Sequence, residues 1–396
     1  MPMPKFTFSF VSNKRKQVAL FDASGLSLLS KFIDQRDISI IDVEQMNVFA
    51  ALRMLASGKK SFFDYTVAYL KIFKPRFVFT FIDNNVDFYK IASLFPEIKF
   101  IAIQNGLRAN YANQSGGGFF DVLKREALNS ELSAHAICVF GKSSGDLFKR
   151  FIRTEPIIIG SLKNNLIGDD VLSTKKFDIV LISQHSPFEI PNSETSFYFG
   201  DQPFTAAEFY FIEQRVVRFL AERAIRTNQS FAVLGKRTDS SPFEREFFAS
   251  AAKPNPVQFF ARTSESSTYE FCQSASLIVS VDSAVGYEFL ARGKKVVFLS
   301  GRINAISPEL SSKIHDTDFG FPLELGASGP FWTNTANESE FEQIIESVQT
   351  MSDEQWATAI SPYNDVLMAY QPGNTGFIRL LQNEGIPLIN EGSQHA

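Results

Sequence analysis

The chain has 396 residues and a mass of 44.4 kDa, enough for two or three domains with cores of their own. Its hydrophobic fraction of 44% and charged fraction of 21% are globular values and exclude a wholly disordered chain. A net charge of -4 argues against a nucleic-acid binder, and two distant cysteines with four histidines exclude a zinc cluster of the usual spacing.

In the first half, short apolar runs alternate with helical patterns. Strands are predicted over 76–82, 98–103, 136–140 and 155–159, and helices over 45–57, 62–74, 86–94, 118–128 and 143–153. This alternation is typical of parallel βαβ units. A polar, glycine-containing stretch over 161–176 follows, and it predicts a linker.

The same alternation then starts again. Strands are predicted over 177–183, 230–234, 257–260, 276–281 and 295–299, and helices over 205–226, 242–251, 267–274 and 284–292. A helical tail over 338–384 is broken at Pro362 and at Pro372–Gly373. The sequence therefore predicts two parallel α/β halves joined by one linker.

The sequence also bears on membranes. No window approaches 18 consecutive apolar residues, and the basic cluster Lys14–Lys16 follows the N-terminal apolar stretch instead of preceding it as in a signal peptide. We therefore expect a soluble, cytoplasmic protein. The segment Phe148–Arg153 mixes cations with aromatic side chains, and it is either one end of an ordinary amphipathic helix or a peripheral membrane contact.

One group of candidate residues follows the strand 276–281. Asp282 and Ser283 would cap the next helix, whose positive end suits a nucleotide phosphate. Gly286 would allow a ligand or backbone to approach closely, and Glu288 could accept hydrogen bonds from ribose hydroxyls. The alternative is a plain capped helix with Glu288 in solvent.

Two further groups follow strands of the second half. Lys236 and Arg237, after Gly235, suit phosphate contacts or a solvated basic turn. His185 follows the first strand after the linker, a position that faces the cleft in a two-domain α/β protein. It could act on a phosphate or leaving group, act as an acid or base, or be structural.

In the first half, polar clusters follow two strands. Asp83 could be a general base, while Gln104, Asn105 and Arg108 could hold a polyhydroxylated or anionic acceptor. Asp and Asn are also ordinary turn formers at strand ends, so this second reading stays open.

Several motifs are missing. The chain has no G-x-x-x-x-G-K-[ST], no G-x-G-x-x-G and no G-x-S-x-G, which argues against P-loop NTPases, dinucleotide dehydrogenases and α/β-hydrolases. A D-x-D at Asp316–Asp318 follows the predicted strands in a polar loop, and we interpret it as a chance match and not as a metal site.

Taken together, several segments resemble glycosyltransferases of the GT-B fold, in the group of bacterial surface-carbohydrate proteins that make O-antigen, capsule or lipopolysaccharide. The resembling segments are RFVFTFIDNN (76–85), IAIQNGLR (101–108), IIIGSLKNN (157–165), VSVDSAVGYEFLARGKKVVFLSGR (279–302), GPFWTN (329–334) and LMAYQPGNTGFIRLL (367–381).

The resemblance implies two Rossmann-like parallel-sheet domains that face a cleft. Residues 1–160 would bind the acceptor, 161–176 would be the linker, 177–350 would bind the nucleotide-sugar donor, and helices in 351–396 would pack back on the first domain. It also implies transfer of a sugar to a growing surface glycan or lipid-linked acceptor, without a metal ion or cofactor, at the cytoplasmic membrane face. Lys236, Arg237, Asp282, Ser283, Gly286 and Glu288 would form the donor site.

The sequence leaves alternatives open for the reaction mechanism and for the function. In an inverting transferase Asp83 would take the acceptor proton, and His185 would assist the leaving group as imidazolium or as a neutral donor. In a retaining enzyme Asp282 or Asp239 would meet the anomeric carbon. Other functions remain open: a nucleotide-sugar epimerase of the same architecture, a non-catalytic glycan assembly subunit, or, among transferases, one that uses a CMP-linked ulosonic acid.

Overall fold

The computed structural model describes residues 7–10, 16–108, 111–112, 117–168, 177–185, 196–199, 202–237, 242–264, 266–302 and 327–389. The chain divides into two compact units. Unit 1 comprises Met1–Asn105, Leu123–Leu166 and Gln371–Ala396, and unit 2 comprises Gly106–Val122 and Ile167–Tyr370.

The strands of the described residues are, in chain order, β1 (Thr7–Ser9), β2 (Val18–Phe21), β3 (Ile38–Ile41), β4 (Gln45–Asn47), β5 (Phe77–Thr80), β6 (Lys99–Ile103), β7 (Tyr111–Ala112), β8 (Ser133–Val139), β9 (Arg153–Ile158), β10 (Phe177–Ile182), β11 (Ser196–Phe199), β12 (Gln202–Thr205), β13 (Phe231–Leu234), β14 (Gln258–Phe260), β15 (Ala275–Ser280), β16 (Val296–Leu299), β17 (Ser328–Gly329) and β18 (Trp332–Thr333).

The α-helices of the same residues are α1 (Leu26–Leu29), α2 (Val48–Ala56), α3 (Phe62–Phe73), α4 (Val86–Leu94), α5 (Phe119–Ala127), α6 (Lys142–Lys149), α7 (Leu162–Asn165), α8 (Ala206–Phe209), α9 (Phe211–Arg226), α10 (Pro242–Ala251), α11 (Ser267–Gln273), α12 (Ala284–Ala291), α13 (Glu338–Thr350), α14 (Asp353–Ile360) and α15 (Thr375–Asn383). Short 3-10 turns cover Ala23–Gly25, Gln35–Asp37, Ser361–Tyr363 and Pro372–Asn374.

Unit 1 is built on a parallel sheet in the order β3-β2-β5-β6-β8-β9. Its strands are short and rich in β-branched and aromatic residues, and β2 and β5 are buried along their whole length. The core includes Leu20, Phe79, Ile101 and Cys138 from four neighbouring strands. A separate parallel pair joins β1 to β4.

Unit 2 is built on a sheet in the order β14-β13-β10-β15-β16-β18-β17. The pairs from β14 to β18 are parallel, and β17 is antiparallel at the edge. From β14 to β18 this is the Rossmann strand order, with β10 as its first strand. A small antiparallel sheet, β12-β11-β7, belongs to the same unit.

The structure confirms the predicted fold class, α/β with two mostly parallel sheets. Most predicted elements are present within a few residues of their expected ends. The helix predicted over 205–226 is broken at Tyr210 into α8 and α9. Two buried strands of the N-terminal region, β2 and β3, were not predicted, and they complete the sheet of unit 1.

The predicted linker and the C-terminal segment differ from their predicted bounds. The stretch predicted as a linker begins with α7, where Asn165 donates to the Oδ1 of Asn374 at 3.0 Å inside unit 1. The C-terminal chain joins unit 1 from Gln371, and Phe377 of α15 packs edge-on against Phe32 there. Helix α14, in contrast, belongs to unit 2.

The segment Phe148–Arg153 covers the end of the amphipathic helix α6, a turn and the first residue of β9. Phe148 and Ile152 are buried in unit 1, so neither side chain is available to insert into a membrane. The cations Lys149 and Arg153 are exposed and pair with Glu155 and Glu131. Within the described residues, no helix combines the length and the hydropathy needed to cross a membrane.

Candidate functional site

The strand order of unit 2 defines where a ligand would be expected. From β10 the chain moves outward to β13 and β14, then returns to β15 on the other side of β10. The loops after β10 and β15 therefore diverge at a topological switch point, the position where open α/β sheets bind ligands. His185 follows β10, and Asp282 and Ser283 follow β15, so the sheet brings these predicted residues to one edge.

His185 lies in an aromatic pocket at this edge. Its ring stacks on Phe247, with centroids 4.0 Å apart, and lies 4.6 Å from the ring of Tyr210. Burial, followed by the positive charges of Lys236 and Arg237, lowers the pKa of His185 to about 4. The imidazole is therefore neutral near pH 7, which favours the neutral donor over the imidazolium among the two forms that the sequence left open. Its buried Nδ1 has no hydrogen-bond partner in the described part of the chain.

A buried carboxylate fixes the neighbouring basic loop. Glu244, in the first turn of α10, accepts hydrogen bonds from the backbone N–H groups of Lys236 at 2.8 Å and Arg237 at 3.2 Å. It also accepts from the hydroxyl of Ser183, after β10. The side chains of Lys236 and Arg237 remain exposed. Glu244 thus holds two strand-end loops together and leaves the cations at the surface.

Helix α12 begins as predicted, and of the two predicted capping residues it is Ser283 that caps it. Ser283 is its N-cap, and the hydroxyl of this residue accepts from the N–H of Val285 at 3.3 Å. Gly286 is buried. A Cβ atom at this position would lie 2.8 Å from Ser280 and 3.0 Å from Phe298, which leaves no room for a side chain. The small size of Gly286 therefore serves close packing of α12 on the sheet and not the approach of a ligand.

Asp282 is held by Arg302, a residue with no role assigned from the sequence. The guanidinium of Arg302 donates from Nε and Nη2 to the two oxygens of Asp282, at 2.7 and 3.0 Å. It also donates to both carboxylate oxygens of Glu213 and to the carbonyl of Phe209. These contacts use all five N–H donors of Arg302, which is 1% exposed. Asp282 thus has a structural role here, which leaves it less available for the retaining alternative.

Glu288 also has a protein partner. The hydroxyl of Tyr269, in α11, donates to Oε2 of Glu288 at 2.7 Å, and both side chains are buried. Burial and the charge of Glu288 raise the pKa of Tyr269, so Tyr269 remains protonated. The alternative that places Glu288 in solvent is therefore wrong, and a ribose contact through this carboxylate would share it with Tyr269.

In unit 1 the predicted base, Asp83, forms hydrogen bonds that hold neighbouring parts of the chain together. Asp83 is completely buried, and its Oδ1 accepts from the N–H of Asn105 at 3.2 Å. Its carbonyl accepts from the hydroxyl of Tyr89 at 2.6 Å. The N-cap of α4 is Asn85, so Asp83 does not cap the helix that follows its strand.

The predicted acceptor residues have different surroundings. The side-chain oxygen of Gln104 accepts from the N–H of Phe140 at 2.8 Å, and Gln104 is buried. Asn105 is exposed. Arg108 belongs to unit 2, where its guanidinium lies 5.9 Å from the ring centre of Phe119. The three residues therefore do not form one group within a single unit.

Unit 1 has a switch point of its own, between β2 and β5, in a flavodoxin-like strand order. Asp22 lies directly after β2 and is half-buried. Its backbone, at φ 79 and ψ 142, lies in a region that is essentially restricted to glycine. Its Oδ1 accepts from the N–H of Ser24 at 2.7 Å. Asp22 was not assigned from the sequence because β2 was not predicted.

Other candidate features lie elsewhere. An open cavity of about 710 Å³ is lined by Asp178, Ser230 and Gln258 at the amino ends of their strands, away from the switch point. Asp239 and the D-x-D at Asp316–Asp318 lie outside the described residues. Across the ranges that are described, no three His, Cys, Asp or Glu side chains are grouped to hold a metal ion.

The fold and this edge define an α/β protein built on two mostly parallel sheets, one of them in Rossmann order. A family model described as "putative O-antigen biosynthesis protein" matches residues 101–385, more than half of the chain. The chain belongs to this family of surface-glycan biosynthesis proteins, which confirms the resemblance read from the sequence.

No curated protein sequence matches the chain. Similar solved structures include UDP-GlcNAc 2-epimerase from Neisseria meningitidis bound to UDP-GlcNAc, with 12% identity, 93% of this chain and 99% of that chain covered, and a TM-score of 0.46. S. aureus MnaA with UDP has 9% identity, coverage of 94% and 98%, and a TM-score of 0.46. The wall teichoic acid polymerase TagF has 10% identity, coverage of 94% and 90%, and a TM-score of 0.48.

Proposed function

We propose that the protein transfers a sugar from a nucleotide-sugar donor to a growing bacterial surface glycan. The observation that carries this proposal is the switch-point edge of unit 2, where the exposed cations Lys236 and Arg237 accompany His185, whose buried Nδ1 has no partner among the described residues. Open α/β sheets bind ligands at this position. Membership of an O-antigen biosynthesis family supplies the class of product.

The anionic part of the donor is assigned to Lys236 and Arg237. Their backbone is fixed by Glu244, so the two cations extend from a well-held loop. The capped start of α12 at Ser283 adds its positive dipole end. These groups would stabilise the departing nucleotide electrostatically, and the proposal therefore requires no metal ion or cofactor.

His185 is assigned a hydrogen bond to the donor and no proton delivery. A neutral imidazole offers one donor and one acceptor nitrogen, and a sugar or ribose hydroxyl can pair with either. The stacking of the ring on Phe247 fixes its plane. His185 would therefore orient the donor at the end of β10.

The acceptor is assigned to unit 1. In an inverting reaction a carboxylate takes the proton of the acceptor hydroxyl as the new glycosidic bond forms and the nucleotide leaves. We assign this role to Asp22 in place of Asp83, because Asp22 reaches the surface at the switch point and Asp83 is fully buried. The acceptor would be a glycan or lipid-linked glycan at the cytoplasmic face of the inner membrane.

Calorimetry with CMP, UDP, GDP and dTDP tests the donor site. We expect one nucleotide to bind, and the double variant Lys236→Ala/Arg237→Ala to weaken its binding at least tenfold. The matched control is Arg226→Ala, which removes an exposed cation from the same unit at the end of α9. If no nucleotide binds, or if all three proteins bind equally, the donor site is wrongly placed.

The acceptor requirement separates the alternatives. A transferase would release nucleotide from its donor slowly until an acceptor glycan is added. An epimerase would convert the nucleotide sugar with no acceptor present. An assembly subunit would bind a partner and no nucleotide.

A further inference from the structure

Helix α2 of unit 1 presents its larger apolar side chains to solvent. Its buried face consists of Ala50, Ala51 and Met54, and the helix packs against α3. Its outer face carries Phe49, Leu52 and Leu55, which are 49%, 60% and 54% exposed. A helix that only covered a core would place these large residues inward. The arrangement indicates that the outer face has a partner.

Phe10 extends this surface. Strand β1 runs parallel to β4, with Ser9 paired to Asn47, so Phe10 lies beside the start of α2. Its side chain is 73% exposed. We call Phe10, Phe49, Leu52 and Leu55 the α2 surface. Contiguous exposed apolar side chains of this kind mark sites that contact proteins or membranes.

The charges around α2 favour an anionic partner. Between 45 and 63 the sequence has three cations, Arg53, Lys59 and Lys60, and neither Asp nor Glu. All three cations are exposed. Lys59 pairs with Asp64 at 3.0 Å, whereas Arg53 and Lys60 have no ion-pair partner among the described residues. Basic residues beside an apolar helix face are the pattern of interfacial helices on anionic bilayers.

The size of the surface favours a bilayer over a second copy or another protein. A stable protein interface buries about 800 Å² on each partner and involves about 20–30 residues a side. The α2 surface offers four apolar side chains around one short helix. Partial insertion into lipid, in contrast, needs only a few apolar side chains together with nearby cations.

We propose that the α2 surface docks unit 1 on the headgroup region of an anionic lipid bilayer, with Phe49, Leu52 and Leu55 inserted and Arg53 and Lys60 facing the phosphates. This inference extends the proposed function, since it places the unit assigned to the acceptor at a lipid surface. It stands or falls separately from the nucleotide site, because lipid binding and nucleotide binding are measured independently.

Co-sedimentation with vesicles tests the proposal. We expect the full chain to bind vesicles of phosphatidylcholine mixed with phosphatidylglycerol, and to bind pure phosphatidylcholine vesicles several-fold less. Phe49→Ser/Leu52→Ser/Leu55→Ser should reduce binding at least tenfold. The control Leu94→Ser/Leu128→Ser removes exposed apolar side chains from other parts of unit 1 and should bind as the wild type does.

A second variant keeps the test valid if the triple variant fails to fold. In Phe49→Trp the new indole should shift its emission to shorter wavelength when anionic vesicles are added, whereas Trp332 and Trp356 are already buried. The proposal is overturned if the wild type ignores anionic vesicles, or if the triple and control variants bind equally. It is also overturned if the α2 surface holds a second copy, seen as a dimer that the triple variant converts to monomer.

Discussion

At the carboxyl edges of the two sheets, acids are held by protein partners in the same way, but the charged groups that reach solvent have opposite signs. In unit 2, Glu244 accepts hydrogen bonds from backbone N–H groups, and Asp282 accepts from Arg302. The charged side chains that reach solvent there are Lys236 and Arg237. In unit 1, the side chain of Asp83 accepts a hydrogen bond from the N–H of Asn105. The acid that reaches the surface there is Asp22.

This difference distinguishes acids that fix the structure of a loop from charged groups that are available to bind a ligand. A carboxylate after a strand can accept from neighbouring N–H groups and so fix a loop, and such a buried group is poorly placed to meet a ligand. The residues left at the surface then give each edge its chemistry. Cations in unit 2 suit a phosphorylated donor, and a carboxylate in unit 1 suits a hydroxyl acceptor.

Exchanging the two acids of unit 1 tests the comparison most strongly. Asp22→Asn should reduce kcat for sugar transfer by about 10²–10⁴-fold, because the amide cannot take the acceptor proton. Asp83→Asn should reduce kcat far less, since its amide oxygen can still accept from Asn105. Both variants should bind the nucleotide as the wild type does. Near-normal kcat in Asp22→Asn with a large loss in Asp83→Asn would reverse the assignment.

Removing the central arginine of unit 2 tests whether its acids are structural. Arg302→Met leaves the buried Glu213 and the partly buried Asp282 without their partner, and the free energy of unfolding should fall by about 3–5 kcal/mol in urea titrations. Arg215→Met is the control, because Arg215 and Glu338 form a pair that is 38% and 47% exposed. That pair should contribute less than about 1 kcal/mol. Equal effects of the two changes would contradict the structural role of Arg302.

The neutral His185 predicts a pH dependence of stability. Its pKa is about 4 in the folded protein and 6.5 for an ordinary imidazole, so between these values the unfolded chain binds the proton more tightly. Its contribution to stability is therefore complete above pH 6.5 and is lost as the pH falls towards 4, by about 3 kcal/mol in total.

The variant His185→Phe keeps an aromatic ring beside Phe247 and removes the titration. Urea unfolding of both proteins between pH 4 and 6.5 should give a shallower pH dependence for the variant, because the carboxylates titrate in both. Identical slopes would mean that His185 is protonated in the folded protein or exposed to solvent.

The sequence by itself determined the architecture, the strand ends and the family resemblance. Apolar runs bounded by turn residues fix strands locally, and the alternation of strands with helices leaves a parallel sheet as the arrangement that buries them. The four-residue run Val18–Phe21, which follows a basic cluster, was not predicted as a strand, and Asp22 was missed with it.

Only the tertiary structure decided which site residues are available. Arg302 meets Glu213 across 89 positions of sequence and Asp282 across 20, and Asp83 meets Asn105 across 22. A carboxylate after a strand looks the same in the sequence whether it faces a ligand or a backbone N–H. The choice depends on neighbours that strand pairing brings together from distant parts of the chain, and local patterns carry no record of them.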